Sequence, residues 1–536
     1  MAFKFISGDR RPTRIEVIIN DLFHEDLTSI QLSILFLCVA ISALVLKTII
    51  SAIFSFKSTK WLATIDSQLS DLANKSLLVL STEKVRKLTP GNALNLVVNS
   101  GTRLTTGAIQ ASINLVVDLV LICVLVGLLF LANPMTAALN FFILALAGLI
   151  IRKFVESKVQ KMGNDLFSLQ TSINDIVVSS VLAYKEIRIY GMQNKIRKEF
   201  IESKFRLSWL SLKSTFLNSI FRYFLEIAIL FSAIFIFVAE FMISDLRRAI
   251  TSLILFLAAG LRLVPSIQRV QSSLLAIRLT KGMTHEYFSL TESNNLTDSV
   301  PEYSSRVRID FAPSIEVRGL SIKSIVEDTS LPILSDITLS VPSGSIVGLL
   351  GESGSGKTTF LDTVAGLVAP NSGSIQISIQ DKGFNPDKVR IGYCTQQPII
   401  LRESLLSNIA SPESVPDFEA IHHLLKVFDL SELLDDYNWK RRRDSLSGGE
   451  KLRISFIRSV CTDTSITLFD EPTSSLDDKN AKKIGEVIND FKGKRTQIVA
   501  THDKRIFDIC DFFVKIDKGT LQYVKDRASF IEIGTY

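Results

Sequence analysis

Eight residues, Gly351-Glu352-Ser353-Gly354-Ser355-Gly356-Lys357-Thr358, combine a glycine-rich turn with one lysine and one hydroxyl. Gly, four residues, then Gly-Lys-Ser/Thr is the pattern of a phosphate-binding loop. The flanks agree with it. Ser345 to Leu350 reads as a short buried strand, and Thr359 to Leu367 as the start of an apolar-faced helix. Glycines at that junction let successive backbone N–H groups face an anion at a helix N-terminus, where the helix dipole also favours negative charge. In such a loop Lys357 reaches the β/γ-phosphates of a nucleotide, and the Thr358 hydroxyl ligates Mg²⁺, with Thr359 as a second hydroxyl behind it. A flexible Gly/Ser turn is the bland alternative, and the rest of the chain weighs against it.

Two further stretches complete the chemistry. Ile466-Thr467-Leu468-Phe469 is an apolar strand that ends in Asp470-Glu471-Pro472. A carboxylate at the tip of a buried strand beside a phosphate loop can hold Mg²⁺ through water, which is the role assigned to Asp470. Glu471 is then placed to polarise an attacking water as general base. Leu446-Ser447-Gly448-Gly449-Glu450 opens a helix over Lys451 to Cys461, and its serine, glycines and free N–H groups make a second anion site. An ordinary capped helix start is the plain reading of that segment. One chain already has its phosphate loop, so a second γ-phosphate site suggests a partner subunit.

The elements that must position these residues divide the chain in two. At 536 residues it is too long for one ordinary domain. A 47% hydrophobic content and a mean hydropathy of +0.30, beside 21% charge, suggest an apolar membrane half joined to a polar half. Five apolar runs, at 30–56, 112–132, 136–151, 218–242 and 248–264, approach the ~20 residues a span needs. Asn133-Pro134 breaks the second from the third, and a turn around Ser244-Asp245 separates the last two. The long connections, residues 57–110 with seven Lys/Arg and 152–217 with twelve, should be cytoplasmic, as should the ATPase half. An odd span count then places the N-terminus outside. Residues 1–29 contain no stretch able to span, and a missing first span is the favoured explanation. Residues 285–313 are polar and read as a linker, and from 314 short strands alternate with helices. The net charge of +6 lies partly beside the membrane, so anionic lipid is expected as a contact and nucleic acid is not. The five cysteines lack CxxC spacing and read as reduced and structural.

Taken jointly, these motifs resemble the half-molecule of an ABC transporter of the exporter type. The match covers nearly everything after about residue 30. Walker A falls at 351–358, the signature at 446–450 and Walker B at 466–470 with Glu471. Ser474-Ser475-Leu476-Asp477 matches the D-loop, and Thr501-His502-Asp503 carries the switch histidine. Gln396, in Tyr393-Cys394-Thr395-Gln396-Gln397-Pro398, matches the Q-loop glutamine, a metal ligand in the family that also reports to the membrane domain.

The resemblance implies a helical transmembrane domain, its five apparent spans one short of the family's six, followed by an α/β P-loop ATPase domain. It also implies a homodimer or heterodimer sandwiching two ATP molecules with Mg²⁺, with His502 on the γ-phosphate. Tyr184 to Gly191 resembles the second coupling helix and Thr89 to Leu104 the first coupling region. Ala258 to Ile267, with Arg262, Pro265 and Ser266, looks like the last span of flippases for lipid-linked oligosaccharides. Two departures stand out. The signature ends in Glu450 where glutamine is commonest, and Leu320 to Ser324 has no aromatic where the family stacks a tyrosine on adenine.

The expected function is an ATP-driven exporter or flippase of an amphiphilic substrate, with a lipid-linked oligosaccharide first. A multidrug or peptide exporter and an ATP-gated regulatory or channel-like subunit are the alternatives. The expected location is the bacterial inner membrane.

Overall fold

The computed structural model describes residues 29–80, 82–132, 159–243, 246–292, 311–323, 332–379, 382–410 and 417–524. The chain separates into two compact units, Met1–Lys75 with Pro90–Ser293, and Ser76–Thr89 with Asn294–Tyr536.

The first unit is helical. Helix α1 spans Ser29–Val79 and includes the first apolar run. The short α2, Thr82–Lys87, belongs to the second unit. From Pro90 the chain stays helical through two π-helical turns, Asn95–Asn99 and Thr105–Gln110, into α3, Ala111–Ala132. Residues 159–182 are helical and lead to the six-residue α4, Tyr184–Ile189. Two long helices follow, α5 (Gln193–Ile243) and α6 (Leu246–Glu292). At 1.5 Å rise per residue a helix of 51 residues, the length of α1 and of α5, runs about 75 Å. That is more than twice a hydrocarbon core of ~30 Å, so both helices continue well beyond a bilayer, as two long polar connections require.

Three stretches among the described residues are long and apolar enough to cross a membrane: Leu37–Val79, Pro90–Gly127 and Gln193–Ala239. They contain or overlap the first, second and fourth apolar runs. The fifth run lies inside α6, which continues through Pro265. The third run, the Asn133-Pro134 break, the Ser244-Asp245 turn and the N-terminal segment lie outside the described residues. An ion pair ties α3 to α6: Asp118, nearly buried, accepts from Arg269 Nε and Nη2 at 2.6–3.0 Å, and Ser266 Oγ adds a contact at 3.0 Å. The pairing offsets the cost of charge within an apolar helix bundle.

The helix boundary corrects one expectation. Helix α6 runs on to Glu292, inside the stretch read as linker. Met283, Tyr287 and Leu290 are buried at helical spacing, and the Tyr287 hydroxyl donates to the Leu69 carbonyl at 2.8 Å. Polar neighbours such as His285, Glu286 and Thr291 mask that stripe in the sequence.

The second unit is α/β. An antiparallel sheet orders β2 (Pro332–Val341), β1 (Ser314–Lys323), β4 (Ser372–Ile379) and β5 (Lys382–Phe384). A six-stranded sheet orders β10 (Thr520–Val524), β9 (Phe512–Asp517), β3 (Ile346–Leu350), β8 (Thr496–Ala500), β7 (Ile466–Asp470) and β6 (Gly392–Cys394). Its strands are parallel apart from β10. All residues of β3, β7 and β8 are buried, as in a parallel sheet covered on both faces. Two cores flank it. One packs β1 to β4 and helix α7 (Lys357–Val364). The other packs helix α8 (Gly448–Cys461) with Phe428, Trp439 and Phe469. None of the five cysteines is paired, and burial pushes the Cys394, Cys461 and Cys510 thiols up to about 12, so they stay neutral.

Candidate nucleotide-binding site

Sheet register assembles the site. Leu349 of β3 and Asp470 of β7 both align with Ala500 of β8, so the ends of three adjacent strands form one row. Gly351, Glu471 and His502 follow just past that row, at the carboxyl edge of a parallel sheet where ligands of α/β folds bind.

The loop after β3 has a backbone that side chains would obstruct. Gly356, the cap of α7, sits at φ 105, and a Cβ there would strike the Leu334 side chain. No side chain caps α7 and its first turn holds no acid, so its leading N–H groups remain free for a ligand. Glu352, Ser353 and Gly354 form the exposed crest of the loop, and Gly351 lies buried at its root.

Lys357 is buried, and its Nζ donates to the Gly351 carbonyl and, at 3.1 Å, to that of Glu352. Burial pushes its pKa down, against the pull of Glu471 and Asp470. Thr358 Oγ1 donates to Asp470 Oδ2 at 2.7 Å, joining residues 112 apart in sequence. Burial raises the Asp470 carboxyl, with the Thr358 hydrogen bond opposing.

Glu471 is held in the left-handed region at φ 49, a strained setting for a non-glycine residue, by its N–H on the Ala500 carbonyl at 2.8 Å. Its Oε1 lies 3.5 Å from His502 Nε2, which is 3.3 Å from Lys357 Nζ. Burial raises the Glu471 carboxyl, opposed by His502 and Lys357. The structure therefore brings together Lys357, Thr358, Asp470, Glu471 and His502. Thr359, half-buried, gives its carbonyl to Thr363 Oγ1. Gln396 is exposed just past β6, one strand over from β7.

The residues fit a magnesium nucleotide. The Ser355 hydroxyl is buried within the loop with no partner, a donor suited to a phosphate oxygen. Among the described residues no cluster of three or more His, Cys, Asp or Glu could cage a metal. Mg²⁺ keeps several waters and binds through one or two protein oxygens plus substrate phosphates, so a Thr358 hydroxyl beside one carboxylate suits it.

The 446–450 segment is the start of α8. Ser447 caps it, accepting from Glu450 N at 3.2 Å, while Glu450 Oε2 accepts from Ser447 N at 2.8 Å, a complete capping box. A side chain on Gly449 would press on the Ser475 carbonyl and Leu476, so the 474–477 turn packs against this helix start.

Three contacts escape the sequence. Arg442, one of the basic run Lys440-Arg441-Arg442-Arg443, places Nη2 at 2.8 Å from Glu450 Oε1. Asp362, on α7, accepts from the Tyr393 hydroxyl at 3.0 Å and from Arg86 Nη2 of α2 at 2.9 Å. An acid on the apolar face of α7 is the one signal that could have drawn attention to it. By contrast α4 buries no residue, and Tyr184, Ile189 and Tyr190 are all more than 60% exposed.

This fold and this row of residues define a P-loop nucleotide-binding protein with an attached helical membrane region. A family profile described as ABC transporter matches residues 334–474. The "Lipoprotein-releasing system ATP-binding protein LolD" of Coxiella burnetii is 30% identical over 229 residues, covering 40% of this chain and 98% of that protein. The "Mating factor M secretion protein mam1" of Schizosaccharomyces pombe is 24% identical over 356 residues, 65% of this chain but only 27% of that protein. A solved structure, a bacterial Atm1-family ABC exporter with ATP bound, superposes with a TM-score of 0.74 at 15% identity. The superposition covers 96% of this chain and 91% of that one. The chain belongs to the ABC transporter family and has the fold of its exporters.

Proposed function

We propose that this chain is an ATP-hydrolysing exporter that works as one half of a dimer and moves an amphiphilic substrate out of the cytoplasm. The row Lys357, Thr358, Asp470, Glu471 and His502 carries the reading, because it holds each group that phosphoryl transfer to water requires. Lys357 and the loop N–H groups take the phosphates. Mg²⁺ supplies charge neutralisation when bound, with Thr358 and Asp470 to hold it and Gln396 to reach it on closure. Glu471 orients and deprotonates the water, and its raised carboxyl suits a base. His502 stands between base and phosphate. The Ser447 hydroxyl and the backbone N–H groups of Gly448, Gly449 and Glu450 receive the γ-phosphate of the nucleotide on a second subunit, identical or related.

Transmission uses two contacts of different kinds. Arg86 reaches Asp362 on the phosphate-loop helix of its own chain. The unburied α4 offers its aromatic and aliphatic side chains to the partner's ATPase domain. The cytoplasmic placement of that domain rests on the basic connections, and the bacterial inner membrane is the proposed site.

A lipid-linked oligosaccharide is the narrower substrate proposed, with Arg262 on α6 as the headgroup contact. A secreted factor is the second, favoured by the resemblance to a mating-factor secretion protein. The test is ATP hydrolysis by the purified chain in lipid nanodiscs, beside Glu471→Gln, with and without polyprenyl-linked oligosaccharide or a hydrophobic peptide. Expected is basal turnover that Glu471→Gln lowers by about 100-fold or more while nucleotide still binds. Stimulation by one substrate class selects it, and a parent that binds ATP without turning it over would sink the exporter reading in favour of gating.

A further inference from the structure

Glu450 puts a full carboxylate into the first turn of the helix that, on the reading above, must receive a phosphate. Its Oε2 takes the Ser447 N–H at 2.8 Å and the Ser447 hydroxyl at 2.9 Å. Burial works to raise this carboxyl, but the Ser447 hydrogen bonds and the charges of Arg442 and Arg453 outweigh it and hold it below the usual range. The group is therefore ionised whenever nucleotide is present at neutral pH. A helix N-terminus carries roughly half a positive charge, so an unopposed carboxylate there would more than cancel it and repel a γ-phosphate.

The remaining oxygen is where the chain answers this. Arg442 Nη2 lies 2.8 Å from Glu450 Oε1, and the exposed Glu432 places Oε2 at 3.3 Å from Arg442 Nη1. Glu450 is mostly covered, at 15% side-chain exposure, while Arg442 is 44% exposed, so salt screens the pair in part. Arg453 also acts on Glu450 through its charge, while its Nη1 donates to the Phe428 carbonyl at 3.0 Å.

We propose that Arg442 is a positioning residue for ATP hydrolysis: paired with Glu450, it makes the glutamate behave as a neutral capping group and so keeps the 446–450 helix start receptive to the partner's γ-phosphate. This rests on the reading of that segment as the trans phosphate site. The pair supplies by two charges what an uncharged amide would supply alone. It follows that Arg442 is needed only while residue 450 is acidic.

The experiment measures KM for ATP and kcat of the full chain in nanodiscs for Arg442→Gln, Arg442→Lys and Arg442→Gln combined with Glu450→Gln. Expected is a KM raised about fivefold or more by Arg442→Gln, with kcat changed by less than about twofold and a steeper effect at low salt. Arg442→Lys keeps the charge and should recover most of the loss. The combined variant should return KM to within about twofold of the parent, which a merely structural arginine would not allow. A KM unmoved by Arg442→Gln, or a combined variant as impaired as the single, overturns the proposal. Ser447→Arg separates the two levels. If it abolishes turnover while Arg442→Gln does nothing, only the role of Arg442 falls. If it turns over like the parent, the trans phosphate site falls, and this proposal with it.

Discussion

Two helices of the ATPase unit, α7 and α8, begin with glycine-rich segments, and they begin in opposite states. Helix α7 opens on left-handed Gly356 with no capping side chain, no acid in its first turn and a buried lysine pointing back into the loop. Helix α8 opens on Ser447 with a full capping box, and its acid is matched by an arginine. The first start is unfinished, since its N–H groups and the buried Ser355 hydroxyl await an external acceptor. The second is complete, and can accept a phosphate only by exchanging bonds it already has. Most of the affinity should therefore reside at α7, while α8 adds a smaller share from across the proposed dimer and reports whether a nucleotide has arrived there.

Substitution at each start tests that division most strongly. Lys357→Ala removes a buried charged donor and should weaken nucleotide binding by about 100-fold, at the 1.5–3 kcal/mol expected of charge-assisted hydrogen bonds. Ser447→Arg should weaken binding by about tenfold at most and abolish turnover, because it blocks only the proposed site in trans. Binding of a fluorescent ATP analogue and hydrolysis, measured side by side, decide the matter. Equal loss of binding in both variants would mean that both starts bind nucleotide in the same way.

How far each start could be read from the sequence follows from the same contrast. The α7 site is written locally. Its glycines at 351, 354 and 356 record backbone demands, and a lysine and a threonine follow at fixed spacing. The strand ends beside Asp470 and His502 were legible because β7 and β8 run into short apolar stretches, Leu468-Phe469 and Ile498-Val499-Ala500. The α8 site was only half legible. Ser447 and Glu450 make a capping box visible in the sequence, but nothing in the run Lys440-Arg441-Arg442-Arg443 marks one of its four cations as a partner of Glu450. Only the turn between the helix ending at Arg442 and α8 brings its guanidinium onto Glu450. Arg86 and Asp362, 276 positions apart, carry no mutual mark in a single sequence. The buried stripe that extends α6 to Glu292 was hidden for another reason, since three apolar residues among polar ones resemble a linker. The adenine contact near Ser324 falls outside the described residues.

A smaller effect concerns how α7 is held from outside. Asp362 sits one turn beyond Thr358, and burial raises its carboxyl, opposed by Tyr393 and by Arg86. Arg86→Ala should leave that carboxylate with the Tyr393 hydroxyl and no cation. Basal hydrolysis should stay within about twofold, whereas stimulation by transported substrate should fall about three- to fivefold, since the loss is of a partly exposed pair. Asp362→Asn should reproduce the uncoupling, and Tyr393→Phe should give a weaker version of it. If Arg86→Ala lowers basal and stimulated rates equally, the pair merely supports α7.

The smallest expected effect shows what the unfinished start costs the empty protein. Asp362, Asp470 and Glu471 all have carboxyls raised by burial around α7. A carboxyl whose folded pKa is raised stabilises the fold fully below its unfolded pKa, and that contribution is lost as pH rises through the folded value. At pH 8, then, ionised Glu471 works against the nucleotide-free fold, and Glu471→Gln should raise its melting temperature by about 1–3 °C. The difference should vanish below about pH 4, where the parent glutamate is protonated as well. The same raised carboxyl should carry the acid limb of the hydrolysis profile above the ordinary glutamate range. Mg²⁺-nucleotide should shrink the melting difference, because cations then balance the carboxylates. A variant that melts lower than the parent at pH 8 would show that the Glu471 contacts with His502 and Lys357 outweigh its burial.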